Sequence, residues 1–209
     1  MKRLLPLLLI GFTIYVRADG QTNAVPSPDV FKTKVETLVC IRHGEKPPGG
    51  LGQLTCRGLN RALALPDVLL AKYGRPQFVF APNPVQKVDS TNGYYYVRPL
   101  ATIEPTAIRC GLPVNTEFGF REIKALEREL RKPAYQNATV FIAWEHGLLD
   151  DCARKMVKHH GGDQAQVPYW PDGDYDTIFV FKIINDAGKE SFSFTIEHEG
   201  LNNLSDTCP

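Results

Sequence analysis

The chain has 209 residues, room for one domain or two very small ones, and enough to bury a substantial single core. Hydrophobic residues make up 43% and charged residues 22%, an ordinary globular composition that excludes a disordered or fibrous chain. With 24 Lys and Arg against 23 Asp and Glu, the formal charge of +1 gives no electrostatic case for a nucleic-acid partner.

The first residues read as a targeting segment. Lys2 and Arg3 precede an apolar run from Leu4 to Val16, and Val16-Arg17-Ala18 offers a cleavage site. The run is short for a membrane span, so the pattern predicts a signal peptide over residues 1–18, with an uncleaved anchor as the alternative. Cleavage would leave no stable membrane span and 21 basic against 23 acidic residues, in an exported protein, periplasmic or secreted. Residues 19–34, with Pro26-Ser27-Pro28, then form a leader into a single domain over residues 35–209.

Strand-length and helix-length patterns alternate along that domain. Glu36–Ile41 is a first strand, followed by a charged turn containing glycine. Cys56–Tyr73 carries a helical apolar stripe interrupted at Pro66. Phe-Val-Phe within Gln77–Ala81 makes a second strand, closed by Pro82-Asn83-Pro84. Pro99 suits the first turn of a helix running to about Arg109, stopped by Gly111 and Pro113. Val114–Thr116 is a short third strand and Arg121–Arg131 an amphipathic helix. Thr139–Trp144 is the clearest strand, and Leu148–His160 the helix after it. Thr177–Ile184 and Ser191–Glu197 read as a hairpin about Asn185-Asp186-Ala187-Gly188.

This alternation predicts an α/β three-layer sandwich, a mostly parallel sheet with helices on both faces. Function in such sheets collects at the carboxyl edge of the strands. Two strands deliver a glycine-flanked histidine there, in Arg42-His43-Gly44-Glu45 and Glu145-His146-Gly147.

Five cysteines follow the signal segment: Cys40, Cys56, Cys110, Cys152 and Cys208. None has the spacing of a zinc site. An oxidising compartment allows one or two disulfides, and the odd count leaves a free thiol. Cys40 reads as a buried thiol. Cys208 would gain most from a tether, with Cys152 and Cys110 as candidate partners.

Four pieces in order carry a resemblance to a known family. They are Leu38-Val39-Cys40-Ile41-Arg42-His43-Gly44-Glu45-Lys46-Pro47, Leu54-Thr55-Cys56-Arg57-Gly58, Arg98-Pro99-Leu100-Ala101-Thr102 and Ala143-Trp144-Glu145-His146-Gly147. From about residue 36 to 184 the chain resembles the histidine phosphatase superfamily, the phosphoglycerate-mutase-like group, in its first branch.

The resemblance implies a phosphatase that hydrolyses a phosphomonoester through a phosphohistidine. His43 would attack phosphorus, and Arg42, Arg98 and His146 would hold the phosphoryl oxygens. Gly44 and Gly147 would let substrate and backbone approach closely. Glu45 would orient Arg42 or cap the site, and Glu145 would border the substrate. The general acid is open among Glu117, Glu122 and Glu145. Glu117 is preferred, because strand alternation turns Glu145 from the face of His146. Arg109 and Arg121 compete with Arg98 for the second phosphate contact. The family's Ser-Pro before this arginine is replaced by Ala81-Pro82-Asn83-Pro84 and the insertion Val85–Val97. Tyr94, Tyr95 and Tyr96 in that insertion read as a packed cluster or as the mouth of the site.

The implied partner is a phosphorylated small molecule, and no metal or other cofactor is needed because the arginines neutralise the phosphate charge. Three other readings are a non-catalytic phosphate-binding or interaction module on the same fold, a phosphoglycerate-mutase-type phosphotransferase, and a metal-dependent hydrolase. The last is disfavoured by the scattered ligands. Asp172, Asp174 and Asp176 lack the glycine and distal glutamate of a calcium loop, and Trp170–Thr177 reads as a polar lead-in to the last strands.

Overall fold

The computed structural model describes residues 33–88 and 93–209. The expected signal peptide, the expected leader before residue 33 and residues 89–92 of the insertion lie outside the described residues.

Among the described residues, ten α-helices and β-strands follow in order: β1 (Lys34–Arg42), α1 (Cys56–Tyr73), β2 (Phe78–Phe80), α2 (Arg98–Cys110), β3 (Val114–Asn115), α3 (Ile123–Leu130), β4 (Thr139–Trp144), α4 (His146–His159), β5 (Thr177–Asp186) and β6 (Lys189–His198). The strands form one six-stranded sheet in the order β3-β2-β4-β1-β5-β6. The first four run parallel, and the β5–β6 hairpin adds two antiparallel strands. The mostly parallel sheet is therefore mixed. Ala187 and Gly188 turn the hairpin with positive φ of 50° and 87°, as a two-residue turn of this twist requires.

Both faces are covered. Alternation along β1 sends Leu38 and Cys40 to one side with Val140, Ile142 and Trp144, under α3 and α4 through Leu126, Leu130, Leu149 and Val157. Val39 and Ile41 go to the other side with Phe141 and Ala143, under Leu65 and Leu69 of α1 and Ile103 and Ala107 of α2. Burial on both faces makes these strands read as continuous apolar runs.

The helix α1 runs unbroken through Pro66, which is buried within it. A proline removes one backbone hydrogen bond. The buried face formed by Ala62, Leu65 and Leu69 outweighs that loss. The helix α4 starts at His146, two residues earlier than predicted, because Glu145 caps it by accepting from the amides of Gly147 and Leu148.

Cys208 bonds to Cys56, not to Cys110 or Cys152. Those two and Cys40 are buried free thiols. The C-terminal tail returns over the start of α1, where Asn60 donates to the carbonyls of Ser205 at 2.9 Å and Thr207 at 2.8 Å. Cys56, the first residue of that helix, is the thiol the tail can reach. No helix among the described residues is long and apolar enough to cross a membrane.

Candidate active site

The strands β1 and β4 are parallel neighbours, with Arg42 opposite Trp144. Pairing continues one residue further, as the His43 amide donates to the Trp144 carbonyl at 3.0 Å. The two histidine segments, far apart in sequence, therefore leave the sheet side by side. The N-terminus of α2 adds Arg98. Thr102 locks these pieces together: its hydroxyl accepts from the Gly44 amide at 2.9 Å and donates to the Arg98 carbonyl at 2.8 Å. Arg42, His43, Arg98, Glu145 and His146 line one pocket of about 380 Å³, joined by Lys46, Tyr96, Phe120 and Arg121.

His43 is buried, and its Nδ1 lies 2.7 Å from the Gly44 carbonyl oxygen. A carbonyl only accepts, so Nδ1 carries the hydrogen and Nε2 keeps a free lone pair. Burial, then the charge of Arg98 with a further contribution from Arg42, lowers the His43 pKa to about 3. The imidazole therefore stays neutral far below physiological pH. The unfolded chain takes up this proton near pH 6.5, so this group's contribution to stability falls as pH drops from 6.5 toward 3.

The Gly44 requirement comes from packing, not from substrate. A Cβ at residue 44 would lie 2.9 Å from the Gly58 carbonyl oxygen, because the loop rests on the first turn of α1. Gly147 does not line the pocket; its amide donates to Glu145 Oε1 at 3.1 Å and helps cap α4.

The two arginines are buried without a carboxylate partner among the described residues. Nη1 of Arg42 donates to the carbonyls of Pro171 (3.2 Å), Asp172 (2.7 Å) and Asp174 (2.7 Å), and its guanidinium lies 4.0 Å from the centre of the Tyr175 ring. Arg98 donates to the Gly50 carbonyl at 3.0 Å and lies 4.6 Å from the centre of the Tyr96 ring. His43 touches both tyrosines, with ring centroids at 5.9 Å from Tyr96 and 6.1 Å from Tyr175. Nε of each arginine and the Tyr96 hydroxyl are buried without a hydrogen-bond partner. Burial, the first cause, pushes the Tyr96 phenol well above its ordinary pKa, so it remains a donor.

Across the pocket, His146 Nε2 lies 2.9 Å from Asp172 Oδ1 and Nδ1 lies 2.7 Å from Glu145 Oε1. Glu145 thus reaches His146 and borders the pocket, contrary to the alternation argument: the strand ends at Trp144, and Glu145 is a helix cap. Burial would raise its pKa, but contact with His146 and the amides of Gly147 and Leu148 override that and lower it to about 2. Glu145 is an anion, not an acid.

Other expectations are corrected. Glu117 is exposed on the loop after β3, near the Tyr135 phenol, and does not line the pocket. Glu122 caps its own loop by accepting from the Gly119 amide at 2.7 Å. Glu45 does not orient Arg42; its oxygens grip Arg61 at 3.0 and 2.7 Å. Arg109 is exposed and pairs with Asp67, which removes it as a phosphate ligand. Arg121 borders the pocket, while Arg98 occupies the buried position. Of the three tyrosines, Tyr96 is buried beside His43 and Tyr94 and Tyr95 are exposed. The sequence reading missed Tyr175 and the carbonyls of residues 171–174 that clamp Arg42; only their place before a strand beside β1 could have signalled them. No group of three His, Cys, Asp or Glu among the described residues is arranged to hold a metal ion.

No family model and no curated protein sequence matches the chain. Solved structures do match in fold. The SixA protein of Nakamurella multipartitia has a TM-score of 0.52 and 16% identity over 78% of this chain and 96% of its own. A mycobacterial glucosyl-3-phosphoglycerate phosphatase has 0.51 and 15% over 77% and 97%. The phosphoglycerate mutase of Bacillus anthracis has 0.50 and 12% over 80% and 95%. These matches cover 77–80% of this chain and 95–97% of theirs, and the chain shares the fold of these phosphatases and this mutase.

Proposed function

We propose that the chain is an exported phosphatase that hydrolyses a phosphomonoester through phosphorylated His43. One observation carries the reading: a neutral imidazole with a free Nε2 beside two buried arginines without carboxylate partners. Charge of that kind suits an anion whose three oxygens need forked donors. Nε2 attacks phosphorus, the N–P bond forms, and the P–O bond to the leaving group breaks. Arg42 and Arg98 stabilise the charge on the equatorial oxygens, His146 joins them when the phosphoryl group replaces the exposed Asp172 at Nε2, and the Tyr96 hydroxyl offers a neutral donor to the same group. Water then attacks phosphorus, the N–P electron pair returns to Nε2, and phosphate leaves with both hydrogens of the water.

Quenching the enzyme with denaturant during turnover of radiolabelled 4-nitrophenyl phosphate should leave acid-labile phosphate on the peptide containing His43, and H43A should show neither label nor turnover. A folded wild-type protein that binds phosphate but never labels would be a binding module. Export is supported by the Lys2–Ala18 pattern and by the Cys56–Cys208 bond, which suits an oxidising compartment. The mature protein should begin at Asp19 by N-terminal sequencing; a retained Met1 would remove this part of the reading.

A further inference from the structure

The phosphoryl pocket opens into a second cleft of about 520 Å³, and the two share Lys46, Val88 and Arg98. Its remaining walls are Pro47, Pro48, the Gly49–Gly52 loop, Tyr94 and Tyr175. Among these described lining residues no carboxylate, amide or aliphatic hydroxyl is present. The polar groups of the described lining are the Lys46 and Arg98 cations, the Tyr94 and Tyr175 phenols and the loop backbone, without the side-chain carboxylates and carboxamides that fix the hydroxyls of a sugar in two directions.

The cleft sets a backbone wall against the prolines and the Tyr94 and Tyr175 side chains. Gly49, Gly50, Leu51 and Gly52 all have positive φ (77°, 85°, 36° and 70°), which presents a wall of nearly bare backbone. Leu51 bears strain in this conformation and is half-exposed at the rim, as is Tyr94. The two walls are lashed together: the amides of Val97 and Arg98 donate to the Gly52 carbonyl at 3.0 and 2.9 Å.

The proton inventory of the adjoining pocket points the same way. Glu145 is held as an anion by His146 and two backbone amides, and Tyr96 gives up its proton less readily than an ordinary phenol. Neither is a ready proton donor at neutral pH, so the departing oxygen meets the Lys46 ammonium with much of its negative charge developed. Phenols, with pKa near 10, tolerate that; simple alkoxides do not.

We propose that the second cleft receives the leaving group and that the substrate is an aryl phosphomonoester, its ring against Tyr94 and Leu51 and its bridging oxygen beside Lys46. The proposal rests on the phosphohistidine reading. His43 Nε2 supplies the electron pair of the N–P bond, and the pair of the broken P–O bond leaves on the phenolate. Lys46 sits at the junction of the two pockets, where charge develops on that oxygen.

The test is kcat/KM for 4-nitrophenyl, phenyl, benzyl, hexyl and glucose 6-phosphates, with His43 labelling followed in parallel. Phenyl phosphate should exceed benzyl, hexyl and glucose 6-phosphate by at least about 100-fold, and the rate should rise steeply as the phenol becomes more acidic. Y94A should raise KM for phenyl phosphate about tenfold, with most of the loss in KM and with recovery in Y94F. K46M should slow poor phenolic leaving groups more than good ones. Labelled His43 with equal or faster turnover of the hexyl, benzyl or sugar ester overturns the aryl assignment and leaves the phosphohistidine reading intact. Absence of label overturns both.

Discussion

Two fully buried guanidinium groups, Arg42 and Arg61, are 0% and 1% exposed, and their surroundings differ completely. Arg61 is neutralised. Glu45 takes two of its nitrogens, Glu199 Oε2 lies 2.5 Å from Nη1, and Asp176 Oδ1 lies at 3.8 Å. Burial alone would lower its pKa, but the bonds to Glu45 and the charge of Glu199 outweigh that and raise it. Arg42 meets only carbonyl oxygens and the face of Tyr175. Carbonyls orient a guanidinium without cancelling its charge. One arginine closes the fold by tying the loop after β1 to α1 and the C-terminal tail, and the other keeps its charge for a ligand.

That contrast predicts opposite phenotypes. R61A should strand Glu45 and Glu199 in a buried site and cost about 3–5 kcal/mol of stability, read as a lower denaturant midpoint. The activity that survives at low temperature should be close to that of the wild type per folded molecule. R42M should do the reverse. The carbonyls of Pro171 and Asp172 lie on an exposed loop and can bond to water, so stability should change by less than about 1.5 kcal/mol. Its kcat/KM should fall by about 10²–10³, as for other preorganised donors to a developing anion. If R61A costs more catalysis than stability, the division between the two arginines is wrong.

What the sequence reveals divides along the same line. Thr139–Trp144 is read to the residue, because a strand buried on both faces needs only an apolar run. The positions of Arg42, His43, Arg98 and His146 are legible because each ends, follows or opens a regular element at the sheet's carboxyl edge. The clamp on Arg42 and the partners of Arg61 are not. Apart from Glu45, they come from residues 171, 172, 174, 176 and 199, more than 100 positions away, and which carbonyl or carboxylate arrives is decided by tertiary packing. Glu45 shows how narrow the margin is. It stands in the motif beside His43, yet its side chain turns to Arg61. Glu117 fails for a related reason: it stands exposed on the loop after β3, whose course spacing alone does not encode.

The smallest expected effect concerns a third buried charge, at the other end of β1. Glu36 is 5% exposed, its Oε1 has no hydrogen-bond partner, and it borders a cavity of about 130 Å³ with Glu127 and Glu190. Burial, then the negative charge of Glu190, raises its pKa to about 7. An arginine without a counter-ion must keep its charge, whereas a carboxylate can escape by holding a proton. Because the folded-state pKa lies above the ordinary 4.5, the contribution of Glu36 is fully present below pH 4.5 and is lost as pH rises through 7. E36Q keeps the shape of the protonated acid and cannot ionise. Its stability relative to wild type should therefore be level at pH 4.5 and rise by about 1–2 kcal/mol by pH 8, after allowance for solvent screening. Parallel unfolding curves for the two proteins across that range would mean that Glu36 has a compensating partner, and that Arg42 is the one buried side chain of this pair left to bear its charge alone.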